Sequence, residues 1–223
     1  MVVTNAASAS ELIQAIEQAD SPVRLVAAVQ ALVDANLEAG IPTLITVLGY
    51  NNPEAAGVAV TGLVRFGAKA VPTLLQQLDE YNYGARAYSF RALAAIGDPR
   101  SLDVLLHAAE NDFAPSVRRA AAQGLGNLRW NHLTAEAQYP AQQRALQILL
   151  SLSNDPDWAI RYAAIVGLQM LATTSADTTV LTANKLLTAI TERLAELDRT
   201  DPDLVVRARV WMAQQALQRL ATN

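Results

Sequence analysis

The stretch NDFAPSVRRAAAQGLGNL, residues 111–128, contains the pattern on which the fold depends. Its apolar residues recur at helical spacing and so occupy one face of an α-helix: Val117, Ala120, Ala121, Gly124, Leu125 and Leu128. Small residues outnumber large ones on this face, so a second helix can approach it closely. Pro115 fits the first turn of the helix, where its missing N–H costs nothing. We therefore expect a helix that other helices pack against.

The same stripe of apolar residues recurs along the chain. The stripes begin at residues 25, 55, 85, 117, 160 and 206, which are 30, 30, 32, 43 and 46 residues apart. Two-helix units repeated at about this period are typical of HEAT-like α-solenoids. The sequence therefore predicts an all-α, curved HEAT-like solenoid of about six helix pairs with capping repeats at its ends. A non-repetitive helical bundle is the alternative, but it has no reason to repeat the small residues.

The first helix of each unit is repeated as well. PTLITVLG at residues 42–49 is matched by PTLLQQLDE at residues 72–80. This match supports the helix-pair unit independently of the stripe. The last stripe is interrupted by Arg209 and Gln214, which we expect on the wetter face of a C-terminal capping repeat.

The domain prediction follows from the repeats, because repeats contact only their neighbours and need no internal boundary. We expect residues 1–9 to form a flexible tail, Ser10 to cap the first helix, and residues 10–223 to form a single solenoid domain. The N-terminus lacks the basic and apolar regions of a secretory signal. There is no run of about 18 apolar residues. We therefore expect a cytoplasmic protein without a membrane span.

The composition excludes several kinds of site. The chain has no cysteine and only two histidines, His107 and His132. Disulfides, thiolate metal sites and a cysteine nucleophile are therefore excluded, and a histidine metal site is not expected. The net charge is −4 without any block of Lys or Arg, so we do not expect nucleic acid as a partner. No phosphate-binding loop or nucleophile motif is present, and we expect no cofactor.

Four arginines occupy the same place in the last four stripes: Arg86, Arg118, Arg161 and Arg207. In register they would form a ladder with steps of about 10 Å, the usual spacing of packed helices. Three aspartates precede the last three arginines by six residues: Asp112, Asp155 and Asp201. One interpretation is structural, with each arginine paired to an aspartate or carbonyl of a neighbouring repeat. The other is that some of them clamp a carboxylated ligand or partner.

Aromatic residues cluster in the turns or helix starts of repeats three to five: Tyr81, Tyr83, Tyr88, Trp130, Trp158 and Tyr162. Aromatics beside arginines suit a flat, conjugated anionic ligand, and they suit a protein interface equally well. Ordinary packing of loops against helix ends is the simpler explanation. From these residues alone, the chain is a scaffold with one decorated face that binds a partner protein or a flat anion.

Three segments resemble a known family: residues 81–106 (YNYGARAYSFRALAAIGDPRSLDVLL), 112–130 (DFAPSVRRAAAQGLGNLRW) and 157–169 (DWAIRYAAIVGLQ). They are similar to the F-type subunits of the cyanobacterial phycobilin lyases with HEAT-like repeats. The resemblance covers about residues 20–172 well and the remainder loosely. Its YNYGARA and RYAAIVGLQ parts are more specific than the others, which occur in many HEAT proteins.

The resemblance implies a partner and a reaction. Such a subunit pairs with a related E-type subunit, and the heterodimer attaches its substrate phycocyanobilin to a cysteine of the phycocyanin α-subunit as a reversible thioether. The absence of cysteine here is compatible, because the nucleophile is the client's thiolate. A related branch also isomerises the bilin and carries an Asn-His-Cys motif. The corresponding stretch here, Asn131–His132–Leu133, lacks the cysteine, so isomerase activity is not expected.

The resemblance and the residue pattern together select eight candidate contacts to the bilin or the partner: Tyr81, Tyr83, Arg86, Arg118, Trp130, His132, Trp158 and Arg161. We expect the heterodimer to hold the bilin in one conformation and to present its A-ring to the thiol. A tyrosine could donate the required proton, but no particular one is indicated. The alternatives are a non-catalytic HEAT-repeat adaptor for phycobiliproteins in phycobilisome assembly or turnover, and a subunit that only stabilises its E-type partner.

Overall fold

The computed structural model describes residues 8–174 and 180–221, with side chains described for residues 8–174 and 184–219. This part of the chain consists of α-helices, short 3₁₀ turns and connecting loops, without a β-strand. The α-helices are α1 (Ala9–Glu17), α2 (Pro22–Ala35), α3 (Ile41–Val47), α4 (Pro53–Phe66), α5 (Val71–Gln76), α6 (Tyr83–Ile96), α7 (Leu102–Asn111), α8 (Pro115–Gly126), α9 (Ala135–Leu152), α10 (Trp158–Thr174), α11 (Val180–Thr200) and α12 (Leu204–Ala221).

The helices alternate as first and second members of six pairs. Every even-numbered helix contains one of the six stripes that the sequence pattern predicts. Proline stands in the first turn of α2, α4 and α8, where its fixed φ favours the helix and its missing N–H costs nothing. The prediction of an all-α repeat of about six helix pairs is therefore confirmed.

Backbone packing divides the chain into two compact units. Unit 1 ends at Ile96 and contains α1–α6, and unit 2 begins at Gly97 and contains α7–α12. In unit 1, α4 packs against α2, α3 and α6; in unit 2, α10 packs against α8, α9 and α12. Even-numbered helices thus lie side by side within each unit, as a helical repeat requires. The single domain expected over residues 10–223 stays a prediction.

The first helix begins two residues earlier than expected. The Ser8 hydroxyl accepts a hydrogen bond from the Glu11 N–H, and the Glu11 carboxylate accepts one from the Ser8 N–H at 2.8 Å. This reciprocal arrangement is a capping box, which satisfies two otherwise unpaired donors. The prediction that Ser10 is the cap is therefore wrong, because Glu11 lies three residues after Ser8. The rest of the expected tail, residues 1–7, lies outside the described residues.

In unit 2, two glycines bring α8 and α10 into backbone contact. A Cβ atom on Gly126 would lie 2.3 Å from the Gly167 carbonyl oxygen, and one on Gly167 would lie 2.5 Å from the Ala122 carbonyl oxygen. Real Cβ atoms do not approach that closely, so both positions require glycine. The stripe contains Gly167 but not Gly126, so the sequence analysis found one side of this contact and missed the other.

The position of Arg209 contradicts the expectation that it lies on a wetter face. Its side chain is only 7% exposed. The guanidinium donates a hydrogen bond to the Gln169 side-chain oxygen and lies 6.0 Å from the centre of the Tyr162 ring. Burial lowers the pKa of Arg209, with Tyr162 opposing the shift. Arg209 is accommodated in this buried position because α10 supplies a polar and an aromatic partner.

Candidate functional site

The turn before α6 in unit 1 presents two of the predicted tyrosines. Tyr81 is 93% exposed and Tyr83 is 58% exposed. The Asp79 carboxylate closes the turn by accepting hydrogen bonds from the N–H groups of Asn82 at 2.7 Å and Tyr81 at 2.8 Å. These two bonds hold the pKa of Asp79 below its usual range. The turn is therefore a fixed platform from which both tyrosine side chains project.

Arg86 stabilises the same turn from the interior of unit 1. Its side chain is 8% exposed, and its Nη1 donates to the carbonyl oxygens of Asp79 at 3.0 Å and Glu80 at 3.1 Å. The structure thus brings Tyr81, Tyr83 and Arg86 together, with the tyrosines outward and the arginine inward. In this arrangement Arg86 positions the turn.

Asparagines link the turns of unit 1 to one another. The Asn82 Nδ2 donates to the Gly49 carbonyl oxygen at 3.3 Å, while its Oδ1 accepts from the N–H groups of Gly84 and Ala85. The turn before α4 repeats this geometry, because the Asn52 Nδ2 donates to the Pro22 carbonyl oxygen at 3.5 Å. One amide side chain therefore caps its own helix and reaches back to the preceding turn.

Two shallow grooves follow these turns in unit 1. One has a volume of about 290 Å³ and is lined by residues that include Asp20 and Tyr50. The other has a volume of about 270 Å³ and is lined by residues that include Gly49, Asp79 and Ser89. Pockets that bury a drug-sized ligand usually measure about 300–1,000 Å³. Neither groove can enclose an extended tetrapyrrole by itself.

In unit 2, the turn before α10 gathers three more predicted residues. The Asp155 carboxylate accepts a hydrogen bond from the Asp157 N–H at 2.8 Å and forms an ion pair with Arg118 at 2.6 Å. Arg118 also donates from its Nε to the Ala109 carbonyl oxygen. Trp158 follows directly and is 48% exposed. The exposed Trp158 ring thus follows a turn that the ion pair between Arg118 and Asp155 stabilises.

Arg161 joins this turn to the next one. Its Nε and Nη2 donate to the two carboxylate oxygens of Asp201, at 2.7 and 3.0 Å, and its Nη1 donates to the carbonyl oxygens of Asp155 and Pro156. The hydrogen bond with Asp201 raises the pKa of Arg161, against the effect of burial. Burial opposes ionisation of Asp201 most strongly, but hydrogen bonds from Arg161 and the Asp203 N–H outweigh it and lower its pKa.

The three ladder arginines of unit 2 therefore bind the protein's own carboxylates and carbonyls. Arg118 and Arg161 do so as described, and Arg207 donates to the Asp201 carbonyl oxygen at 2.5 Å. This geometry agrees with the structural interpretation of the ladder. That these guanidinium groups clamp a ligand carboxylate stays a prediction, since such a ligand would compete with an existing charged hydrogen bond.

Trp130 and His132 lie in a 3₁₀ turn between α8 and α9. Trp130 is only 2% exposed, and its indole N–H donates to the Thr174 hydroxyl at 3.1 Å. In this position its ring fills the core of unit 2 and offers no face to a ligand. His132 is exposed. It lies close enough to help lower the pKa of Asp98, for which a hydrogen bond from Arg100 is the main cause.

Sequence reasoning missed several exposed apolar side chains. Tyr50 and Phe113 stand in turns and are 38% and 74% exposed. A further group on α12 is also exposed: Leu204, Val205, Trp211 and Met212. The stripe indicates which face of a helix is buried, but it does not show whether a neighbour covers the opposite face. Position at a helix start is the signal that could have found Phe113 and Leu204.

The side chains described within residues 8–174 and 180–221 can hold and orient a ligand. Within these ranges, no group of His, Cys, Asp or Glu side chains could hold a metal ion. Among the described helices, none is long and apolar enough to cross a membrane. The exposed candidate residues offer aromatic surfaces, phenol hydroxyls and one imidazole. These groups can bind a conjugated ligand and donate a proton to it.

Comparison with family models identifies HEAT repeats in most of the chain. A model of HEAT repeats matches residues 41–126, and a single HEAT-repeat model matches residues 145–175. A model described as PBS lyase HEAT-like repeat matches residues 117–155. The predicted HEAT-like fold is therefore confirmed.

Characterised relatives carry names that agree with one another. The chain is 54% identical over 205 residues to the phycocyanobilin lyase subunit beta of Nostoc sp., covering 92% of this chain and 98% of that protein. It is 53% identical over 161 residues to the phycocyanin alpha phycocyanobilin lyase CpcF of Synechocystis sp., covering 72% of this chain and 75% of that protein. A phycobilisome maturation protein of Synechococcus elongatus is 47% identical over 209 residues, covering 93% of this chain and 97% of that protein.

A solved structure agrees as well. The complex of CpcE and CpcF of phycocyanin lyase from Nostoc sp. contains a chain that matches with a TM-score of 0.73 and 56% identity, covering 79% of this chain and 98% of that chain. A designed armadillo repeat protein matches with a TM-score of 0.54 at 17% identity, covering 94% of this chain and 100% of that chain. This second likeness concerns the stacked-helix fold alone.

Proposed function

The chain belongs to the family of phycocyanobilin lyase beta subunits, and from this premise we propose that it is the F-type subunit of a heterodimeric lyase. With an E-type subunit it attaches phycocyanobilin to a cysteine of the phycocyanin α-subunit. The observation that carries the proposal is the 54% identity to a phycocyanobilin lyase beta subunit over 98% of that protein. The name of one relative, a phycobilisome maturation protein, supports a cytoplasmic location.

The reaction adds the client's thiol across a carbon–carbon double bond next to ring A of the bilin. The thiol gives up its proton, its sulfur forms the new C–S bond as the π bond opens, and one proton is delivered to the other carbon of that bond, so no oxidant or reductant is needed. This chain contains no cysteine, and the sulfur must come from the client. Its share of the work is to hold the bilin in one conformation, exclude water and place a proton donor.

The exposed residues are the ones suited to contact the bilin. Tyr81 and Tyr83 project from one fixed turn and supply aromatic faces and phenol O–H donors. Trp158 supplies an indole face on a second fixed turn, and His132 supplies an exposed imidazole. An imidazole N–H donor such as that of His132 suits a propionate of the bilin.

The buried arginines have a different role in this proposal. Arg86 and Arg161 donate to backbone carbonyls of the turns that display the aromatic side chains, and Arg118 donates to the Asp155 carboxylate that closes one of these turns. They are positioning residues, and Trp130 belongs to the core beneath them. The two grooves of unit 1 are too small for the whole bilin. We infer that the E-type subunit supplies part of the enclosure, in keeping with an activity that needs two chains.

A reconstituted ligation reaction tests the proposal. This chain, a candidate E-type subunit, the apo-phycocyanin α-subunit and phycocyanobilin are mixed, and bilin fluorescence of the client band is followed on a denaturing gel. We expect a covalent adduct only when both subunits are present. Replacing Tyr81 and Tyr83 together by Phe should slow adduct formation, whereas the matched control Tyr139→Phe, on α9, should not. Adduct formation at the full rate when one of the two subunits is left out would refute the proposal.

A non-catalytic adaptor is the second candidate, favoured by the relative named as a phycobilisome maturation protein. An adaptor would bind the phycobiliprotein client without an E-type subunit. It would also yield no adduct in any mixture. Light scattering of this chain with the client, with and without the E-type subunit, separates the two functions.

A further inference from the structure

Positive charge is concentrated on the even-numbered helices of unit 2. The helices α8, α10 and α12 contain no Asp or Glu, but they contain six arginines: Arg118, Arg119, Arg161, Arg207, Arg209 and Arg219. The odd-numbered helices of this unit contain six acidic residues: Asp103, Glu110, Glu136, Glu192, Glu196 and Asp198. Since α10 packs against both α8 and α12, the even-numbered helices form one layer. An anion that approaches this layer meets arginines but no acidic side chain of its helices.

Arg209 differs from the arginines that the turns engage. Arg118, Arg161 and Arg207 bind carboxylates and carbonyls of the turns. Arg209 is only 7% exposed, yet no acidic side chain in the described part of the chain forms an ion pair with it. Its Nη2 donates to the Gln169 side-chain oxygen, while its Nε and Nη1 donate to no described group. A buried guanidinium without a carboxylate is unfavourable, and burial lowers the pKa of Arg209 accordingly.

Packing of the repeats does not require an arginine at this position. Arg209 comes three residues after its stripe start, as do Ala120 in α8 and Ala163 in α10. Both alanines are buried, with exposures of 5% and 1%. Arg209 instead extends onto α10, where its guanidinium lies 6.0 Å from the centre of the Tyr162 ring. Because arginine is rarely buried without an acidic partner, a buried arginine in the place of an alanine indicates a role in binding.

Arg209 and Tyr162 together offer hydrogen-bond donors to a carboxylate. Tyr162 is half-buried, and its hydroxyl forms no hydrogen bond to a described residue. The Nε and Nη1 atoms of Arg209 are not among the described polar atoms that are enclosed without a partner, so an oxygen of a ligand can reach them. Since the guanidinium lies 6.0 Å from the ring centre, one carboxylate can span the guanidinium and the phenol hydroxyl. Gln169 holds the guanidinium in place by accepting from Nη2.

We propose that Arg209, Tyr162 and Gln169 form a carboxylate-binding site that holds a propionate of the bilin. The proposal rests on the proposed function, which supplies a conjugated ligand with propionates, and it names residues outside the eight contacts selected from the sequence. Arg209 donates a charge-assisted hydrogen bond to the propionate, and the Tyr162 hydroxyl donates a second one. Gln169 is a positioning residue, because it acts through Arg209. The site fixes the orientation of the bilin while the thiol adds next to ring A.

An acidic side chain of a protein partner offers the same carboxylate, so the bilin has to be distinguished from it. The bilin is the better occupant because the site is recessed: Arg209 is buried and Tyr162 is half-buried. A propionate on a small ligand can enter such a recess, whereas an acidic side chain stays close to the surface of a folded partner. The aromatic ring of Tyr162 beside the guanidinium also suits a conjugated ligand.

The experiment compares binding of phycocyanobilin with binding of its dimethyl ester, in which both propionates are esterified. Each ligand is titrated into the assembled pair of this chain and an E-type subunit, and the visible absorbance of the bilin reports binding. Arg209→Ala should weaken binding of the free acid about tenfold, the effect of one charged hydrogen bond, and leave binding of the ester within about twofold of wild type. Tyr162→Phe should weaken binding of the acid about threefold.

Two further variants separate ligand binding from folding. Arg209→Met removes the buried charge but keeps most of the volume, so it should unfold at wild-type temperature or above and bind the two ligands as Arg209→Ala does. Arg144→Gln is the matched control: Arg144 lies on α9 in the same unit and pairs with Asp103, and its replacement should change the binding of neither ligand. A purely structural Arg209 predicts the opposite pattern, with lower stability in Arg209→Met and equal changes for acid and ester.

The outcomes separate this proposal from the proposed function. If Arg209→Ala and Arg209→Met change the binding of acid and ester equally, or of neither, the site is wrong, and the lyase function stands as long as both subunits still form adduct. If these variants bind the bilin as wild type does but bind the phycocyanin α-subunit more weakly, the carboxylate belongs to a protein and the proposal fails. If wild type neither binds the bilin nor forms adduct, both fail.

Discussion

In unit 1 the turn before α6 is held to its predecessor by an amide, whereas in unit 2 the turns before α10 and α12 are held by ion pairs. Asn82 donates to the Gly49 carbonyl oxygen, while Asp155 and Asp201 accept from Arg118 and Arg161. In both units the same side chain also accepts a hydrogen bond from the N–H of its own turn. The shared geometry is a side chain that closes one turn and reaches back to the preceding repeat.

The two solutions differ in what a single substitution removes. A neutral hydrogen bond contributes about 1 kcal/mol net, and losing an exposed one leaves groups that water can satisfy. The Arg161 and Asp201 side chains are 11% and 1% exposed. Removing one member of such a buried pair leaves the other charge without compensation. Unit 2 should therefore be more sensitive than unit 1 to substitutions in its turns.

Replacing Asp201 by Ala should produce the largest effect and so sharpen this contrast. It leaves the guanidinium of Arg161 buried without its carboxylate, and we expect a loss of about 3–4 kcal/mol in the free energy of unfolding. The measurement is urea unfolding followed by circular dichroism. Asp103→Ala, which removes the exposed partner of Arg144, is the matched control and should cost less than about 1 kcal/mol. Equal losses in the two variants would contradict the argument from burial.

The helix packing of unit 2 should also be the more sensitive of the two to substitution. A Cβ atom on Gly126 in unit 2 would meet backbone atoms of Gly167 at 2.3–2.9 Å, so relief requires movement of the helices. Gly126→Ala should cost about 2–3 kcal/mol by overpacking. Gly57→Ala on α4 is the control, because a Cβ there meets nothing within 4 Å. It should be neutral or stabilise by up to about 1 kcal/mol. A Gly126→Ala variant as stable as wild type would show that α8 and α10 can separate freely.

The fold could be predicted from the sequence because its determinants are local and periodic. Helical spacing located all six even-numbered helices, and the repeat period indicated their stacking. One of the two interpretations of the arginine ladder was that each arginine pairs with an aspartate or carbonyl of a neighbouring repeat, and the ion pair between Arg161 and Asp201 agrees with it. Gly126 was missed because it lies outside the stripe: its requirement for glycine arises from a backbone 41 residues away in sequence, that of Gly167. Propensity carries no record of such a contact.

The candidate site was less predictable, for a related reason. Sequence pattern identified Tyr81, Tyr83 and Trp158 as aromatics near turns, and the structure exposes them. Trp130 has the same composition signal but fills the core, since Thr174 offers a partner for its indole N–H. Arg209 was expected on a solvent-exposed face, but it is buried with Gln169 and Tyr162 as its partners. Exposure depends on which groups the remote helices place opposite a residue, and single-sequence periodicity does not contain that information.

Asn82→Ala tests the weaker side of the comparison. It removes the cap of α6 and the link to Gly49 without leaving a buried charge, so we expect a loss of about 1 kcal/mol in the free energy of unfolding. Asn82→Asp should recover the cap but not the donation to the Gly49 carbonyl oxygen. Urea unfolding of both variants apportions the two contributions. If the free energy of unfolding falls as much as in Asp201→Ala, the amide stabilises its turn as strongly as the ion pair does. The contrast between the two units would then be wrong.

The pH dependence of stability should show the smallest difference. The pKa of Asp201 in the folded protein is lowered because hydrogen bonds from Arg161 and the Asp203 N–H outweigh burial, whereas the unfolded value is about 3.9. The unfolded state therefore binds more protons in this range, and the stabilisation is present above about pH 4 and is lost as the pH falls through the lower folded pKa. Asp201→Asn should be less stable at pH 7 but lose less stability between pH 5 and pH 2.

Asp79→Asn in unit 1 is the variant to compare with Asp201→Asn. Hydrogen bonds from the Asn82 and Tyr81 N–H groups lower the pKa of Asp79. The substitution should change the pH dependence with the same sign, and each variant should reduce the slope by at most one proton. Unfolding at a series of pH values measures both, and other carboxylates cancel because they are common to all three proteins. If Asp201→Asn follows the wild-type slope while Asp79→Asn does not, proton linkage resides in the backbone-bonded turn, and the buried ion pair contributes through packing rather than through its charge.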